Sequence, residues 1–481
     1  MRTAFHEKKI TVVGLARSGV GAANLLVSLG AKVTVTDMKK PEQLDAFIKA
    51  LSHEVSLSLG SHPAELFESS DLIVISPGVS PEIGPVALAR SKGVRIIGEL
   101  ELAFQALRSG GAATVPEFLA VTGTNGKSTT TALLDAMLRS GGIGTILGGN
   151  IGVSLAAEIL DLLGNSPATA SERYIVAELS SFQLETIETF RPKGSTILNV
   201  TPDHLDRYHG MDAYISAKCR VALHQGAADY LVLNADDPYT AELERIIGRQ
   251  KQRPQIFYFS RKAAVEGIYY ERGNICFNLP PDRLRQIDPD LISPGSSFTL
   301  DPASFVIKGV HNVENAMAAA LMAYLAGCSF DGIKDALATF PGLEHRLEFV
   351  RERNGVRYIN DSKGTNVGAV LKSLEGFTEP VVLIAGGRDK DSDFSLLRPM
   401  IKEKVKRLVL VGDAAEKIRK ALCDVTVCDM AGFDFRGAVA KATEAAAPGD
   451  VVLLSPACAS FDMFRDFEDR GRQFKMMVME L

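Results

Sequence analysis

The sequence has no tryptophan, no excess of basic residues and no apolar run as long as the ~18 residues of a membrane-spanning helix. The longest apolar run, near residues 316–327, fits a buried helix. With 58 acidic and 53 basic side chains, the net charge of −5 does not favour nucleic acids or anionic membranes as partners. The opening residues, MRTAFHEKKITVVG, lack the apolar segment of a signal peptide. We therefore expect a cytoplasmic protein that binds neither nucleic acid nor membrane.

Cysteine is also scarce, and its positions show none of the spacings typical of a metal site. Isolated cysteines of a cytoplasmic protein are normally reduced. The sequence therefore predicts six free thiols, at Cys219, Cys276, Cys328, Cys423, Cys428 and Cys458.

Residues 120–138, AVTGTNGKSTTTALLDAML, place a glycine-rich loop between an apolar run and a helical segment. The backbone N–H groups of such a loop and the start of the helix behind it bind phosphate, while lysine adds charge and serine binds a metal. The usual motif has glycine where Val121 stands, and an ordinary strand–turn–helix with a surface lysine is the alternative. We predict ATP and Mg²⁺ contacts from Gly123, Thr124, Asn125, Gly126, Lys127, Ser128 and Thr129.

A second glycine-rich turn follows a β-branched run that ends at Gly14, and an acidic residue, Asp37, ends the next predicted strand. This pattern is similar to a dinucleotide-binding fingerprint. Ala16 replaces the glycine that lets a pyrophosphate approach, which weakens the case for NAD and leaves a UDP group as an alternative. Further on, DLIVISPGVSP predicts a buried strand followed by Gly78, which is either a ligand contact or a plain turn residue.

Polar side chains follow three later strands: Asn150 in GTILGGNIG, Glu178 in YIVAELSSFQLE and His204 in STILNVTPDHLDRY. A carboxylate just past a buried strand, in a chain with a phosphate loop, is a candidate Mg²⁺ ligand. The alternatives are a helix N-terminal charge for Glu178 and a turn histidine for His204. Lys218 lies in a predicted amphipathic helix, where a solvated lysine is the default expectation.

Asn312 and Asn315 lie three residues apart in HNVENAMAAALMAYLAG, on one face of a predicted helix. An amide both donates and accepts hydrogen bonds, which suits the N6/N7 edge of adenine. One N-cap and one solvent-facing asparagine is the alternative.

The last part of the chain has four strand-like segments that each stop at glycine or polar residues and continue as a helix. This is typical of a doubly wound sheet with ligands at its strand ends. At ~150 residues a domain, the length fits three domains. We predict an α/β protein with a Rossmann-like domain at 1–110, a mostly parallel P-loop ATPase-like domain at 111–342 and a Rossmann-like domain at 343–481. Residues 261–300 resemble an insertion of no assigned role.

Seven motifs together resemble those of the Mur ligases: GTNGKST, GGNIG, ELSSFQLE, HNVENAMAA, HRLE, NDSKGTN and SPACASFDMF. The likeness covers essentially the full chain. GTNGKST and HNxxN also occur in folylpolyglutamate synthetases, whereas SPACASFDMF with NDSKGTN is more particular to the member of the family that adds D-glutamate. The DNPR-type element of the diamino-acid-adding member is absent from the sequence.

The resemblance implies an ATP- and Mg²⁺-dependent ligase that joins D-glutamate to UDP-N-acetylmuramoyl-L-alanine during synthesis of peptidoglycan precursors. ATP would phosphorylate the alanyl carboxylate, and the amine of D-glutamate would then displace the phosphate. Because a carboxylate is a poor electrophile until it carries a good leaving group, the protein must hold the substrates in line and neutralise charge. We expect a monomer that acts on these small molecules.

The resemblance also assigns roles to residues. The catalytic residues are Lys127, Glu178, His204, Lys218 and Lys363. The metal ligands are Ser128, Glu178, His204 and Lys218, the last as a carbamate, because an unmodified lysine would be a cation beside metal ions. Further ATP contacts are Asn312, Asn315, Arg346 and Asp361. The contacts to the UDP substrate are Ser18, Asp37, Gly78, Asn150 and His204. The D-glutamate contacts are Thr365, Lys390, Ser460 and Phe467.

Four other functions compete with this one. Within the superfamily they are the L-alanine-adding ligase and a folylpolyglutamate synthetase. An NAD-dependent oxidoreductase would depend on the Gly14–Asp37 segment alone, and Ala16 opposes it. A non-catalytic ATP switch explains the phosphate loop but not the polar strand ends of the third domain.

Overall fold

The computed structural model describes residues 3–109, 115–164, 172–205, 207–208, 210–292, 298–389 and 391–481. The chain forms two compact units. The first unit consists of Met1–Val200, Gly210–Ala303 and Asn315–Ala338, and the second of Thr201–His209, Ser304–Glu314 and Thr339–Leu481. The domain boundaries at residues 110 and 342 stay predictions.

The first unit begins with a sheet of five parallel strands. They are β1 (Lys9–Val13), β2 (Lys32–Asp37), β3 (Ser56–Leu59), β4 (Leu72–Ile75) and β5 (Arg95–Gly98). The helices of this region are α1 (Arg17–Ser28), α2 (Asp45–Ile48), α3 (Ala64–Glu68), α4 (Gly84–Ser91) and α5 (Glu99–Ser109). The strand order β3-β2-β1-β4-β5 reverses between β1 and β4, where doubly wound sheets bind their ligands. The predicted Rossmann-like arrangement is confirmed.

The second sheet of the first unit is mostly parallel. Its strands are β6 (Glu117–Thr122), β7 (Gly144–Gly149), β8 (Glu172–Glu178), β9 (Gly194–Ile197), β10 (Tyr230–Asn234), β11 (Gln255–Ser260), β12 (Gly267–Glu271), β13 (Asn274–Asn278) and β14 (Thr299–Leu300), in the order β14-β13-β12-β11-β10-β9-β6-β8-β7. Its helices are α6 (Lys127–Ser140), α7 (Leu155–Gly164), α8 (Ser181–Leu184), α9 (Met211–Cys219), α10 (Thr240–Ile247) and α11 (Pro281–Ile287). The segment 261–300 extends this sheet through the antiparallel strands β13 and β14.

Two further helices follow, α12 (Val310–Leu325) and α13 (Phe330–Thr339). The side chains from Ala316 to Leu325 are all buried, as the apolar run in the sequence predicts. Within the described ranges, no helix has both the length and the apolarity to cross a membrane.

The second unit contains a sheet of six strands, parallel except for the edge strand β15. The strands are β15 (Glu348–Arg353), β16 (Val356–Asn360), β17 (Val381–Gly386), β18 (Val405–Val411), β19 (Val427–Gly432) and β20 (Val451–Leu454), in the order β15-β16-β20-β17-β18-β19. The helices are α14 (Val367–Glu375), α15 (Arg398–Lys404), α16 (Ala415–Leu422), α17 (Phe435–Ala445) and α18 (Phe467–Glu480). Apolar clusters cover both faces of this sheet, as expected for parallel strands.

One pair of cysteines contradicts the sequence prediction of six free thiols. Cys423 and Cys428 form a disulfide, with their Cα atoms 5.6 Å apart. They lie five residues apart, where the chain turns from α16 into β19, so the fold brings together two thiols with no recognisable spacing motif. The other four cysteines are reduced thiols: Cys219, Cys276, Cys328 and Cys458.

Two buried carboxylates in the first turn of α5 bind the backbone of neighbouring segments in the first unit. Glu99 accepts a hydrogen bond of 2.7 Å from the N–H of Ala156, at the start of α7, and burial raises the pKa of Glu99 to about 7. Burial also acts to raise the pKa of Glu101. Hydrogen bonds from Thr189 and from the N–H of Glu188 outweigh that effect and hold the pKa of Glu101 below its ordinary value.

These two carboxylates predict opposite effects on stability. Because its pKa is raised, Glu99 binds a proton more tightly in the folded chain than in the unfolded chain. The stability that this proton contributes is fully present below about pH 4.5 and is lost as the pH rises through about 7. At pH 8 we expect Glu99→Gln to exceed the wild type by up to about 3 kcal/mol in free energy of unfolding. Glu101→Gln, two residues away, should lose about 2 kcal/mol. Denaturant unfolding at pH 5 and pH 8 measures the free energy of unfolding of both variants. Equal changes in the two variants at pH 8 would contradict the opposite pKa shifts of Glu99 and Glu101.

Candidate active site

The predicted phosphate loop is confirmed as a strand, a turn and a helix. β6 ends at Thr122 and α6 begins at Lys127. Gly123 and Gly126 have φ angles of +145° and +84°, a region that favours glycine. A side chain at Gly126 would also collide with the amide of Asn315, whose Oδ1 accepts a hydrogen bond of 3.3 Å from the hydroxyl of Thr130. The glycines therefore allow the loop both its backbone conformation and its close packing.

Two lysines converge on this loop. The Nζ of Lys127 donates to the carbonyl oxygens of Gly123, at 3.1 Å, and Thr124, at 2.8 Å. The Nζ of Lys218 donates to the same Gly123 oxygen at 2.7 Å and lies 4.4 Å from the centre of the Tyr214 ring. Lys218 is only 1% exposed, so the default expectation of a solvated lysine is wrong. Two amines therefore share one acceptor, an arrangement that is repulsive when both are charged.

Glu178 lies beside the phosphate loop. It ends β8 and pairs in register with Val121 on the neighbouring strand β6. Its carboxylate is buried, and Oε1 accepts a hydrogen bond of 2.9 Å from the Nδ2 of Asn150. Within the described ranges, neither its Oε2 nor the buried hydroxyl of Thr129, in the first turn of α6, has a hydrogen-bond partner. Buried oxygens without donors are costly unless a cation compensates them, so this oxygen-rich set fits Mg²⁺.

A cavity of about 620 Å³ opens at the carboxyl ends of β1 and β4. Asp37 and Gly78, both predicted as substrate contacts, line it. The Asp37 carboxylate accepts hydrogen bonds from the N–H groups of Leu15, at 2.7 Å, and Lys39, at 2.8 Å, and so fixes the loops on either side. Ser18, also predicted, lies half-buried in the first turn of α1. His62 lines the same cavity and was not predicted from the sequence.

Two predicted residues lie at the start of the second unit. His204 occupies a turn with a φ of +54°, and its Nε2 lies 3.7 Å from the carboxylate of Asp203. Asn312 is buried, and its Nδ2 donates a hydrogen bond of 2.8 Å to the carbonyl of Lys308. The predicted roles of both residues stay predictions.

In the second unit, the loops that follow β16 and β20 meet. Asp361 is 3% exposed, and its Oδ2 accepts hydrogen bonds from the hydroxyls of Ser373, at 2.7 Å, and Ser455, at 2.6 Å. Burial raises the pKa of Asp361, which the serine hydrogen bonds oppose. The Nζ of Lys363 lies 5.3 Å from the centre of the Phe467 ring. The predicted residues Asp361, Lys363 and Phe467 therefore belong to one region.

Two other predicted amino-acid contacts, Thr365 and Ser460, lie in the same loops. Ser460 is buried, and its carbonyl accepts hydrogen bonds from the N–H groups of Met463 and Phe464. The N–H of Thr365 donates to the carbonyl of Lys363 at 2.9 Å. Lys390 lies outside the described residues.

Arg346 lies in a loop whose neighbouring residues are held by hydrogen bonds and ion pairs. The buried ring of His345 pairs through Nδ1 with the Nδ2 of Asn360 at 2.9 Å, and Lys475 donates to the carboxylates of Glu344 and Glu348 at 2.9 and 2.5 Å. This lysine makes the group an ionic cluster rather than a metal site. The Nε of Arg346 is buried and has no hydrogen-bond partner among the described residues, which fits a guanidinium that binds an anionic ligand.

Arg470, in α18, was not predicted. It is 1% exposed and donates from Nε to the hydroxyl of Ser362 at 2.9 Å, from Nη2 to the Ser362 carbonyl at 2.8 Å, and from both terminal nitrogens to the carbonyl of Cys458 at 3.2 Å. Burial lowers the pKa of Arg470 to about 10. A single guanidinium thus joins the NDSKGTN and SPACASFDMF loops.

Three family models match the chain in succession. They are the Mur ligase MurD-like N-terminal domain at residues 8–98, the Mur ligase middle domain at 121–323 and the Mur ligase glutamate ligase domain at 345–458. Full-length relatives agree with these matches. The UDP-N-acetylmuramoylalanine--D-glutamate ligase of Geotalea daltonii is 43% identical over 476 residues, which are 98% of each chain. The chain belongs to the Mur ligase family.

Other Mur ligases extend the comparison. The enzyme of the same name from Pelotomaculum thermopropionicum is 43% identical over 485 residues, 99% of this chain and 98% of its own. Among solved structures, the UDP-N-acetylmuramate-alanine ligase MurC of Thermotoga maritima aligns with a TM-score of 0.59 at 19% identity, over 98% of this chain and 100% of its own. MurF of Acinetobacter baumannii aligns with a TM-score of 0.59 at 16% identity, over 98% and 93%. The predicted three-domain Mur ligase fold is confirmed.

Proposed function

We propose that this Mur ligase joins D-glutamate to UDP-N-acetylmuramoyl-L-alanine in the cytoplasm, with ATP and Mg²⁺. The observation that carries the proposal is the 43% identity, over nearly the whole chain, to relatives named as D-glutamate ligases. The phosphate loop of the first unit and the joined loops of the second provide sites for ATP and for an amino acid. We keep a monomer as the expected state.

The first half of the reaction transfers the γ-phosphoryl group of ATP to the alanyl carboxylate. A carboxylate oxygen bonds to the γ-phosphorus as the bond to ADP breaks. The loop N–H groups and Lys127 neutralise the transferring group, and Ser128 and Glu178 would hold Mg²⁺, which screens the phosphate charge. Asn312, Asn315, Arg346 and Asp361 are the proposed contacts to the rest of ATP.

The second half forms the amide. The amine of D-glutamate attacks the acyl carbon, the C–O bond to phosphate breaks, and the amine loses a proton. A dicarboxylate amino acid requires cationic and hydroxyl donors, which Lys363, Thr365, Lys390 and Ser460 supply in our proposal. Phe467 stacks against Lys363 and supports its position.

We propose further that Lys218 carries a carbamate. The ammonium group first loses one proton, and the neutral amine then forms an N–C bond to CO₂ with loss of a second proton, so that a cation becomes an anion. The shared acceptor with Lys127 supports this, because two ammonium groups repel where an ammonium and a carbamate attract. His204 would then share the metal with this carbamate, and Asn150, hydrogen-bonded to Glu178, would contact the substrate.

Phosphate release from ATP tests the function. The assay contains Mg²⁺ and UDP-N-acetylmuramoyl-L-alanine with D-glutamate, L-glutamate, L-lysine or no amino acid. We expect release with D-glutamate alone. Release with another pair of substrates would assign the chain a different place in the family, and no release with any pair would contradict a ligase.

The unpaired oxygen of Glu178 predicts a metal-dependent defect. Glu178→Gln keeps the shape of the side chain but removes its charge, so we expect the Mg²⁺ concentration for half-maximal activity to rise at least about tenfold. Glu172→Gln, at the opposite end of β8, is the matched control and should behave as the wild type. An unchanged Mg²⁺ dependence in Glu178→Gln would remove Glu178 from the metal site.

Arg470 is predicted to position the amino-acid site without touching the substrate. Lysine cannot replace its planar fork of donors, so Arg470→Lys should let the two loops separate. We expect kcat/KM for D-glutamate to fall at least about tenfold, with KM for ATP within about twofold of the wild type. Arg472→Lys, in the same helix with a half-exposed side chain, is the control. Equal losses for ATP and D-glutamate would indicate general destabilisation instead.

A further inference from the structure

His62 lines the cavity at the ends of β1 and β4, together with Gly14, Asp37 and Gly78. Its ring is half-buried and meets the ring of Phe67 edge to face, with centroids 5.7 Å apart. This contact fixes the ring plane. Because the ring plane is fixed, the ring presents its nitrogen atoms to a ligand in the cavity in one orientation.

The hydrogen bonds of His62 determine which ring nitrogen carries the proton. Its Nδ1 lies 2.9 Å from the hydroxyl oxygen of Thr36, and the same hydroxyl lies 3.1 Å from the carbonyl of Ser61. A carbonyl cannot donate, so the single hydroxyl proton of Thr36 must point to Ser61. The hydroxyl oxygen then accepts from an Nδ1–H, and in the neutral ring Nε2 is left as an acceptor.

The acceptor Nε2 makes no hydrogen bond within the part of the chain that the structure describes. Asp37, the other ionisable side chain on the cavity wall, already accepts from two backbone N–H groups. Burial lowers the pKa of His62, against the opposing charge of Asp37, so the ring is neutral at pH 7 and Nε2 keeps its lone pair.

We propose that the Nε2 of His62 accepts the N3–H of a uracil ring and so selects uridine over cytidine nucleotides. The inference rests on the proposed function and on the prediction that Asp37 and Gly78, which line this cavity, contact the UDP part of the substrate. Uracil has a donor at N3, whereas N3 of cytosine is an acceptor. Two acceptors that face each other repel, and a buried acceptor left without a donor is costly.

Calorimetric titration with UDP, CDP and 3-methyl-UDP, which lacks the N3 proton, tests this. We expect the wild type to bind UDP at least about tenfold more tightly than either analogue. His62→Phe keeps the ring contact without an acceptor and should bring the Kd values for UDP and CDP to within about threefold of each other. The amide of His62→Gln can present either its oxygen or its NH₂ group, so this variant should likewise bring the two Kd values to within about threefold of each other. His53→Gln, at an exposed position, is the control.

The outcomes separate this inference from the proposed function. A wild type that ligates D-glutamate but binds UDP and CDP alike, or a His62→Phe variant that still prefers UDP, overturns the role of His62 and leaves the ligase intact. Absence of both ligation and UDP binding overturns the function and this inference together. If His62→Phe does not fold, the wild-type comparison of UDP with 3-methyl-UDP and the behaviour of His62→Gln decide.

Discussion

Replacing Lys127 with methionine is expected to lower kcat about a thousandfold, because the ammonium group acts on charge that develops as the phosphoryl group transfers. Methionine keeps the length and apolar stem of lysine, so the strand–turn–helix around it should persist. The loop also has backbone hydrogen bonds that do not involve the Lys127 side chain, such as that from the N–H of Thr124 to the carbonyl of Asn199. Steady-state assays with saturating D-glutamate measure the effect.

The matched control for this variant is Lys251→Met, at an exposed position of the first unit. It should retain wild-type kcat, KM and thermal stability. ATP-induced thermal stabilisation provides a second readout, since the methionine variant should lose much of it while its Tm without nucleotide stays near that of the wild type. A Lys127→Met enzyme that keeps a tenth of the wild-type kcat would contradict the assignment.

The sequence predicted the phosphate loop because its signal is local. The motif GTNGKST occupies seven consecutive positions. Its two glycines have φ angles that only glycine adopts easily, and lysine and serine follow at the start of the helix. Glu178 was predicted as a metal ligand for a related reason, because it stands at the end of a buried apolar run. Parallel pairing of β6 and β8 brings that strand end beside the loop. Local patterns therefore predicted the strand ends that meet at this edge of the second sheet.

Residues whose roles depend on distant contacts were not predicted. The sequence around Arg470 is highly charged and indicates an exposed helix, yet its guanidinium is enclosed by the loop at Ser362, 108 residues earlier, and the loop at Cys458, 12 residues earlier. His62 lies in the segment LGSHPAEL, outside every motif singled out in the sequence, and only the fold places it on the cavity wall. For Lys218, the helical pattern alone predicted a solvated side chain, and only the family resemblance assigned it a role, because burial of one lysine depends on what packs against it.

Lys218→Ala is expected to lose more than about a hundredfold in kcat, and short carboxylic acids such as formate or acetate should restore part of it. The substitution leaves a space where the buried side chain ended, beside the Gly123 carbonyl that Lys127 also contacts. A small carboxylate in that space would supply the anion that the proposed carbamate provides. Rescue should be saturable and should favour acids small enough to enter.

The same acids should not rescue Lys127→Met, because that variant lacks a cation rather than an anion, and this contrast separates rescue from a general salt effect. Protein equilibrated with ¹³C-labelled CO₂ gives an independent readout: the wild type should show a carbamate carbon signal that Lys218→Ala lacks. Unchanged turnover in Lys218→Ala would remove the residue from the mechanism. Loss of activity with neither rescue nor a carbon signal would mean that Lys218 acts as an ammonium group that holds the Gly123 carbonyl, and the anion beside the metal would then have to come from Glu178 alone.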